Sequence, residues 1–400
     1  MYNRFITELS INLKSERVFT LLKIIHTADI HLDSPFRMED LQKAQARKIE
    51  LRAAFSSLMF WAKTEQADVM LIAGDLFDSP HPTPDAVEFV TSQFAACPNC
   101  RFIISPGNHD FAASDSVYAK TTFPENVSIF TTTTLSCLHF DNIAGHEVNV
   151  YGYAFTSPIL DHNPFAGTVI EKSNAINLLC GHGTLGGDNG KDCPIKTEEI
   201  KNAGFDYVAL GHVHNNPGIQ KIENTYYGYS GSLEPRAFND RGERGAFMVE
   251  ADKQDGVFTC RPTFFRLCKR IYAVESVNLT GAATKEEVLG KINTLFKQKG
   301  YGKDTLLRLT LEGSLAGDLD ISSLGIETIT SGLYYCELRD HTSPDYDLEA
   351  LKNDPTIKGE LVRTLAHLLE SENENERILA SRALKYALSA LSGNDISDFN

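Results

Sequence analysis

Five short clusters of Asp, His and Asn stand out in this chain, each directly after an apolar run. Asp29-Ile30-His31 follows LLKIIHTA, and Gly74-Asp75-Leu76-Phe77-Asp78 follows DVMLIA. Gly107-Asn108-His109-Asp110 follows RFII and Ser105-Pro106, His182 follows AINLLCG, and His212-Val213-His214 follows DYVALG. A buried parallel strand that releases polar side chains at its C-terminal end is where open α/β sheets place their chemistry. Asp, Asn and His donors in these proportions suit Mn²⁺, Fe²⁺ or Zn²⁺, because the histidines bring more nitrogen than a Mg²⁺ or Ca²⁺ site takes. One carboxylate can bridge two ions about 3.5–4 Å apart. Asp75 is the natural bridge, since it ends a central strand and follows a glycine that permits close approach. A hydroxide held between two such ions would be the nucleophile. His109 sits beside a ligand and faces outward, where it could hydrogen-bond a phosphate or protonate a leaving oxygen. The pattern is that of a two-metal hydrolase.

The elements that must carry these donors can be read from the same sequence. Residues 21–27 form a first core strand, and 38–62 a helix without Gly or Pro whose apolar stripe is Leu41, Ile49, Leu51, Phe55, Leu58, Met59 and Ala62. Residues 68–73 are the second strand. Pro80, Pro82 and Pro84 stiffen the next loop, and Thr83 with Pro84 predicts the start of a helix over 85–96. Short strands over 127–130, 135–140 and 148–153 look like antiparallel material for a second sheet. Residues 176–180 and 207–210 are the last ligand-bearing strands, with further strands at 225–229, 245–250 and 258–264.

A boundary is expected near 265–270. Beyond it come a strand (272–279), a helix (285–297), a strand (305–311), a short helix near Leu319 and a strand (333–338), without any metal-ligand cluster. The end is helical, clearest over 359–370 and 375–391, joined by a solvated polar run at 370–376. These leucine-rich helices either grip a partner's coiled coil or pack on their own protein, and the second reading is favoured.

Taken together and in order, Asp29-x-His31, Gly74-Asp75-x-x-Asp78, Gly107-Asn108-His109-Asp110, Gly181-His182 and Gly211-His212-x-His214 resemble the five motifs of the calcineurin-like metallophosphoesterase superfamily. The resemblance implies an α/β fold, a four-layer α-β-β-α sandwich. It implies one metal held by Asp29, His31, Asp75 and His214, and another by Asp75, Asn108, His182 and His212. It makes His109 the transition-state contact or acid, with Asp78 and Asp110 behind it and Asp110 orienting its ring. HTADIHLDSPF, AGDLFDSPHPT, PGNHD, GHGTLGG and SGSLEPRAFNDRGERGAFMVE further resemble the SbcD-type bacterial DNA repair exonucleases and their YhaO-like relatives. That closer resemblance implies Mn²⁺-dependent 3′ to 5′ exonuclease action on DNA with endonuclease action besides, an SMC-like or AAA-type ATPase partner, and a homodimer. It also divides the chain into an extension (1–21), a catalytic domain (22–265), a small α+β capping domain (266–342) and a C-terminal helical region (343–400). Such proteins often begin almost directly at the first strand, so the extension is a departure.

The bulk composition narrows the class. With 42% hydrophobic and 23% charged residues in 400, the chain reads as globular with two or three domains. It has no apolar run of about eighteen residues and no secretory signal pattern, so a cytoplasmic, membrane-free protein is expected. Against 53 acidic residues stand 38 Lys and Arg, a net charge of -15. That excludes a broad nucleic-acid-coating surface but not a nuclease, whose metals and partner supply positive charge. It also keeps open a phosphodiesterase or phosphatase acting on a small-molecule, cyclic-nucleotide or phosphoprotein substrate. Arg236, Arg241 and Arg244, in the loop after Ser230-Gly231-Ser232, are candidates for phosphate contact, with acidic neighbours that argue equally for plain surface charge. Cys97 and Cys100 form a lone CPNC, read as two unconnected thiols. His26, inside a strand, and His81, His139, His146 and His162 are not expected to be ligands.

Overall fold

The computed structural model describes residues 21–36, 38, 40–186, 190–316, 319, 321–345 and 348–391. The expected extension, Leu21 apart, lies outside the described residues, as does the end of the C-terminal helical region. The chain divides into two compact units, Met1–Glu234 with Arg244–Cys268, and Pro235–Glu243 with Lys269–Asn400. The loop 235–243 groups with the later part of the chain, in which 269–400 form one unit.

In the first unit the strands are β1 (Leu22–Thr27), β2 (Val69–Ile72), β3 (Arg101–Ile104), β4 (Val127–Ile129), β5 (Ser136–Ile143), β6 (His146–Gly152), β7 (Ile176–His182), β8 (Thr184–Leu185), β9 (Pro194–Ile195), β10 (Tyr207–Gly211), β11 (Gly218–Ile222), β12 (Thr225–Tyr229), β13 (Gly245–Gln254) and β14 (Val257–Arg266). The helices are α1 (Leu41–Thr64), α2 (Pro84–Ala95), α3 (Val117–Lys120) and α4 (Thr197–Ala203). Two six-stranded sheets result, in the orders β14-β13-β1-β2-β3-β4 and β11-β12-β10-β7-β6-β5. Strands β1, β2, β3 and β4 run parallel, as do β6, β7, β10 and β12; antiparallel β13 and β14, β11 and β5 flank them, while β4 is a parallel edge.

The expectation of an antiparallel second sheet is therefore corrected. β4 joins the first sheet in parallel, and β6 is antiparallel only to β5. Long connections, 105–126 and 153–175, allow the crossovers that parallel neighbours require, and alternation alone does not reveal strand direction.

Side-chain alternation sorts the layers. Leu22, Ile24, Val69, Leu71, Ile103 and Val249 of the first sheet meet Val148, Val150, Leu178, Cys180 and Ala209 of the second in one buried cluster. The opposite faces of the same strands present Ile25, Met70, Ile72, Phe102 and Ile104 to Leu51, Phe55, Leu58, Val90 and Phe94 of α1 and α2. Leu179, Val208 and Leu210 face Ile200, Ala203 and Phe205 on the far side of the second sheet. Strands buried on both faces read as continuous apolar runs, which is why the ligand-bearing segments stand out in the sequence. The result is the α-β-β-α layering. His26 pins the sheets together: its Nδ1 lies 2.9 Å from the Tyr207 hydroxyl and its Nε2 3.1 Å from the Leu210 carbonyl. Both helices that cover the first sheet are capped, α1 by the Asp40 carboxylate on the Gln42 and Lys43 amides and α2 by Thr83 on Ala86, with Pro84 as first residue. Cys97 and Cys100 are buried free thiols.

The second unit holds a three-stranded parallel sheet of β15 (Ile271–Asn278), β16 (Thr305–Ala316) and β17 (Tyr335–Asp345). Helix α5 (Lys285–Lys299), a 3₁₀ turn (Ile321–Leu324) and α6 (Ile326–Thr330) complete its core. After α7 (Leu348–Lys352), α8 (Ile357–Leu369) and α9 (Glu374–Leu391) pack through Val362, Leu384 and Leu388, and Lys385 of α9 reaches Asp340 of β17 at 2.6 Å.

Candidate dinuclear metal centre

Every expected metal ligand sits at or just beyond the C-terminal end of a central parallel strand of the first unit. Asp29 and His31 follow β1, Asp75 follows β2, Asn108 follows β3, His182 ends β7, and His212 and His214 follow β10. Four of them hold positive φ angles despite their side chains: Asp29 (51°), His31 (51°), Asp75 (54°) and His212 (100°). The chain folds back sharply there, which aims each donor inward. Gly74 lets this happen, because a Cβ at its φ of +91° would lie 2.1 Å from the His182 ring.

The donors converge on Asp75. Its Oδ2 is 3.6 Å from His31 Nε2 and 3.5 Å from His182 Nε2, so one carboxylate oxygen stands between a histidine from each sheet. His31 Nε2 and His214 Nε2 face each other at 3.1 Å. Asn108 Oδ1 lies 2.9 Å from His182 Nε2 and 3.3 Å from His212 Nδ1. Asp29, His31 and His214 form one group with mutual donor distances within 4.8 Å, and Asp29, Asp75 and His182 form another. Both Asp29 oxygens also accept the His212 amide, at 3.0 and 3.1 Å.

Partners on the far sides of the rings set which nitrogen faces inward. His182 Nδ1 lies 2.9 Å from the Ala73 carbonyl, which accepts its proton and leaves Nε2 as a lone pair toward Asp75 and Asn108. His31 Nδ1 lies 3.0 Å from Asp78 Oδ1, with the same consequence for its Nε2. Two imidazole nitrogens that face each other at hydrogen-bond distance must share a proton or a cation. Burial pushes the Asp75 carboxyl well above the usual carboxylate range, and the nearby Asp110 and Asp29 carboxylates add to that. Bringing such carboxylates together away from water is favourable only with positive charge among them. The donor set and its electrostatics fit divalent cations.

His109 sits at the open edge. Its ring is 43% exposed, 3.7 Å from Asp78 Oδ1 and edge-on to His31 at 4.7 Å between centroids. The expectation that Asp110 orients this ring is replaced by a different arrangement. Asp110 is fully buried, taking the Gly107 amide at 2.8 Å, the Phe77 amide at 3.1 Å and the Tyr118 hydroxyl at 2.5 Å. It staples the GNHD loop to the GDLFD loop, and Asp78 is the carboxylate beside His109. Burial also lowers the basicity of His212, followed by its neighbour His182.

The arginines separate. Arg244 is buried, its guanidinium on the His214 carbonyl at 2.6 Å and Asn215 Oδ1 at 2.8 Å, so it is not placed for phosphate contact. Arg236 and Arg241 belong to the second unit, where the Arg236 amide bonds Asp240 and Arg241 is exposed beside Tyr272. Sequence reading passes over Asp192, whose Oδ2 lies 3.9 Å from His212 Nε2, and Tyr118. Nothing in the sequence distinguishes either from its neighbours. His81, His139 and His162 pair with surface carboxylates, and His146 faces Asp252, all apart from the ligand groups.

Among the described residues no helix is long and apolar enough to cross a membrane. The family model of the calcineurin-like phosphoesterases matches residues 22–216. A similar protein, the uncharacterized metallophosphoesterase YhaO of Bacillus subtilis (strain 168), is 27% identical over 371 residues, covering 90% of this chain and 81% of its own length. Among solved structures, TT1561 of Thermus thermophilus covers 61% of this chain and 99% of its own, at 13% identity and a TM-score of 0.33. Vps29 of Cryptosporidium parvum covers 61% and 97%, at 12% identity and 0.27. The stretch from the first strand to just past His214, with its convergent donors, is a calcineurin-like metallophosphoesterase domain.

Proposed function

We propose that this phosphoesterase hydrolyses phosphodiester bonds of DNA, as a 3′ to 5′ exonuclease with endonuclease action, in DNA repair. The observation that carries hydrolysis is the Asp75 oxygen set between His31 and His182. The choice of DNA is supported by the loops HTADIHLDSPF, AGDLFDSPHPT and SGSLEPRAFNDRGERGAFMVE, which resemble those of SbcD-type exonucleases. Asp29, His31, Asp75 and His214 would hold one cation and Asp75, Asn108, His182 and His212 the other. Mn²⁺ is the first choice, with Fe²⁺ or Zn²⁺ as alternatives. When bound, such a pair supplies Lewis acidity at the phosphoryl oxygens and a nucleophile competent at neutral pH.

The chain's own groups do the rest. Asp78 and the Ala73 carbonyl keep the His31 and His182 rings turned inward. His109, exposed and next to His31, donates a hydrogen bond to the phosphate or a proton to the leaving oxygen. Arg236 and Arg241 hold backbone phosphates. An SMC-like or AAA-type ATPase is the partner that the resemblance supplies, and exposed Ile378 and Leu379 on α9 give it an apolar foothold. Pairing of two copies is part of the same reading.

The decisive experiment tracks nucleotide release from linear duplex DNA with Mn²⁺, end-labelled to report polarity. Release from 3′ ends that stops with chelator is expected. If duplex DNA stays intact while a small phosphodiester is cleaved well, the DNA reading fails. A small-molecule or cyclic-nucleotide phosphodiesterase then stands, the reading that the charge of -15 favours.

A further inference from the structure

We infer that Arg244 is a positioning residue for His214, fixing the backbone of that ligand so that its imidazole meets His31 and Asp29. The inference rests on the metallophosphoesterase reading of the site. Three observations carry it.

The Arg244 side chain is 1% exposed, and its forked guanidinium spans two adjacent residues, donating from Nη1 to the His214 carbonyl at 2.6 Å and from Nη2 to Asn215 Oδ1 at 2.8 Å. A planar fork that grips two acceptors restricts both translation and rotation of the segment, which a lysine's point charge does not. The same carbonyl accepts the Ser232 amide at 3.1 Å, and a Cβ on Gly231, at φ +71°, would lie 2.6 Å from it. The Ser230-Gly231-Ser232 turn therefore backs the His214 carbonyl from one direction while Arg244 holds it by a charge-assisted bond.

Both supports are themselves anchored. Glu234, two residues after Ser232, is buried against Arg47 of α1 at 2.8 Å, and Arg47 also holds Glu50 at 2.6 Å. Arg244 is fixed at its backbone, where its carbonyl accepts the Leu267 amide at 2.9 Å and the Cys268 amide at 3.2 Å. His214 itself is half-buried on a loop beyond β10, without the sheet hydrogen bonds that hold His182. In metal sites generally, groups that orient a ligand from behind change affinity by roughly 10–100-fold when removed.

The test is titration of the metal-free full-length protein with Mn²⁺ by calorimetry, for wild type, R244K, R244M and N215A, with phosphodiester hydrolysis measured beside it. Wild type should take two ions. R244M should weaken one of them by about 10–100-fold and leave the other within about threefold. R244K should fall between, and N215A should show the smaller change of losing one arm of the fork. Hydrolysis lost in R244K should return at saturating Mn²⁺ with the KM for phosphodiester unchanged. Should R244M fail to fold, R244K and N215A decide on their own. Equal affinities for both ions in R244K and N215A, or a raised and salt-sensitive KM with metal binding intact, would overturn the inference, the latter returning Arg244 to phosphate contact. A wild type that binds no metal sinks the metallophosphoesterase reading instead, so the two failures are distinct.

Discussion

Both units are built on parallel strands, yet they turn their chains by different means. In the first, ten of the described non-glycine residues take up positive φ, among them Asp29, His31, Asp75 and His212. In the second, the described residues with positive φ are all glycines: Gly242, Gly281, Gly300, Gly313 and Gly325. Holding a side chain in that region costs on the order of 1–3 kcal/mol. The second unit avoids the cost, and the described ligand groups all lie in the first. Strained backbone is tolerated where a donor must leave a strand end and point back at its neighbours, and there the surrounding sheets over-determine it. At Asp29, His31, Asp75 and His212 the positive φ coincides with the expected ligands, whereas Gln66, Ala144, Glu223 and Asp255 adopt it in plain turns.

This contrast can be broken or sharpened by substitution. The largest effect is expected for Asp75→Asn, which removes the shared carboxylate. Both cations should be lost, by elemental analysis, and hydrolysis should fall by more than the roughly 100-fold typical of an outer-shell change. Retention of two ions would mean that Asp75 is no bridge. Next comes His109→Gln, on the exposed rim of the same site. Two ions should stay bound while kcat drops by roughly 10²-fold or more, the size of a general-acid contribution. Full activity in that variant would remove its assigned role.

A second-unit change should be milder and selective. Arg241→Ala is expected to raise KM for duplex DNA severalfold and leave a small aryl phosphodiester unaffected. Equal effects on both substrates would place that arginine's influence elsewhere.

The smallest effect concerns stability alone. Burial lowers the His26 pKa from 6.5 to about 4, so its ring stays neutral in the folded protein. Above pH 6.5 it carries no penalty. As pH falls from 6.5 toward 4 the unfolded chain takes up a proton that the folded chain refuses, and stability declines. Thermal melts across that window should fall less steeply for His26→Gln than for wild type.

The expected metal ligands are legible in the sequence because each is a polar residue released by an apolar strand, a local signal that survives without knowledge of neighbours. Strand existence is equally clear for β1, β2, β3, β7 and β10, where both faces are buried. Strand direction is not, as β4 and β6 show: pairing depends on where the chain returns after a long connection. The role of Asp110 escapes for a related reason. Adjacency to His109 in sequence suggests a contact, but consecutive side chains on a tight loop diverge, and Asp110 turns inward to the Phe77 and Gly107 amides. Arg244 looks like one of three loop charges, and only burial sets it apart from Arg236 and Arg241.

Asp29, His31, Asp75 and Asn108 come from one sheet, His182, His212 and His214 from the other. A cation seated among them is therefore a cross-link between two layers as well as a reagent, and its binding energy adds to the cohesion of the sandwich by mass action. Starved of the ion, the sandwich would meet proteases with a seam of mutually repelling carboxylates along one end. Metal supply would then govern how long each molecule survives, not only how fast it turns over.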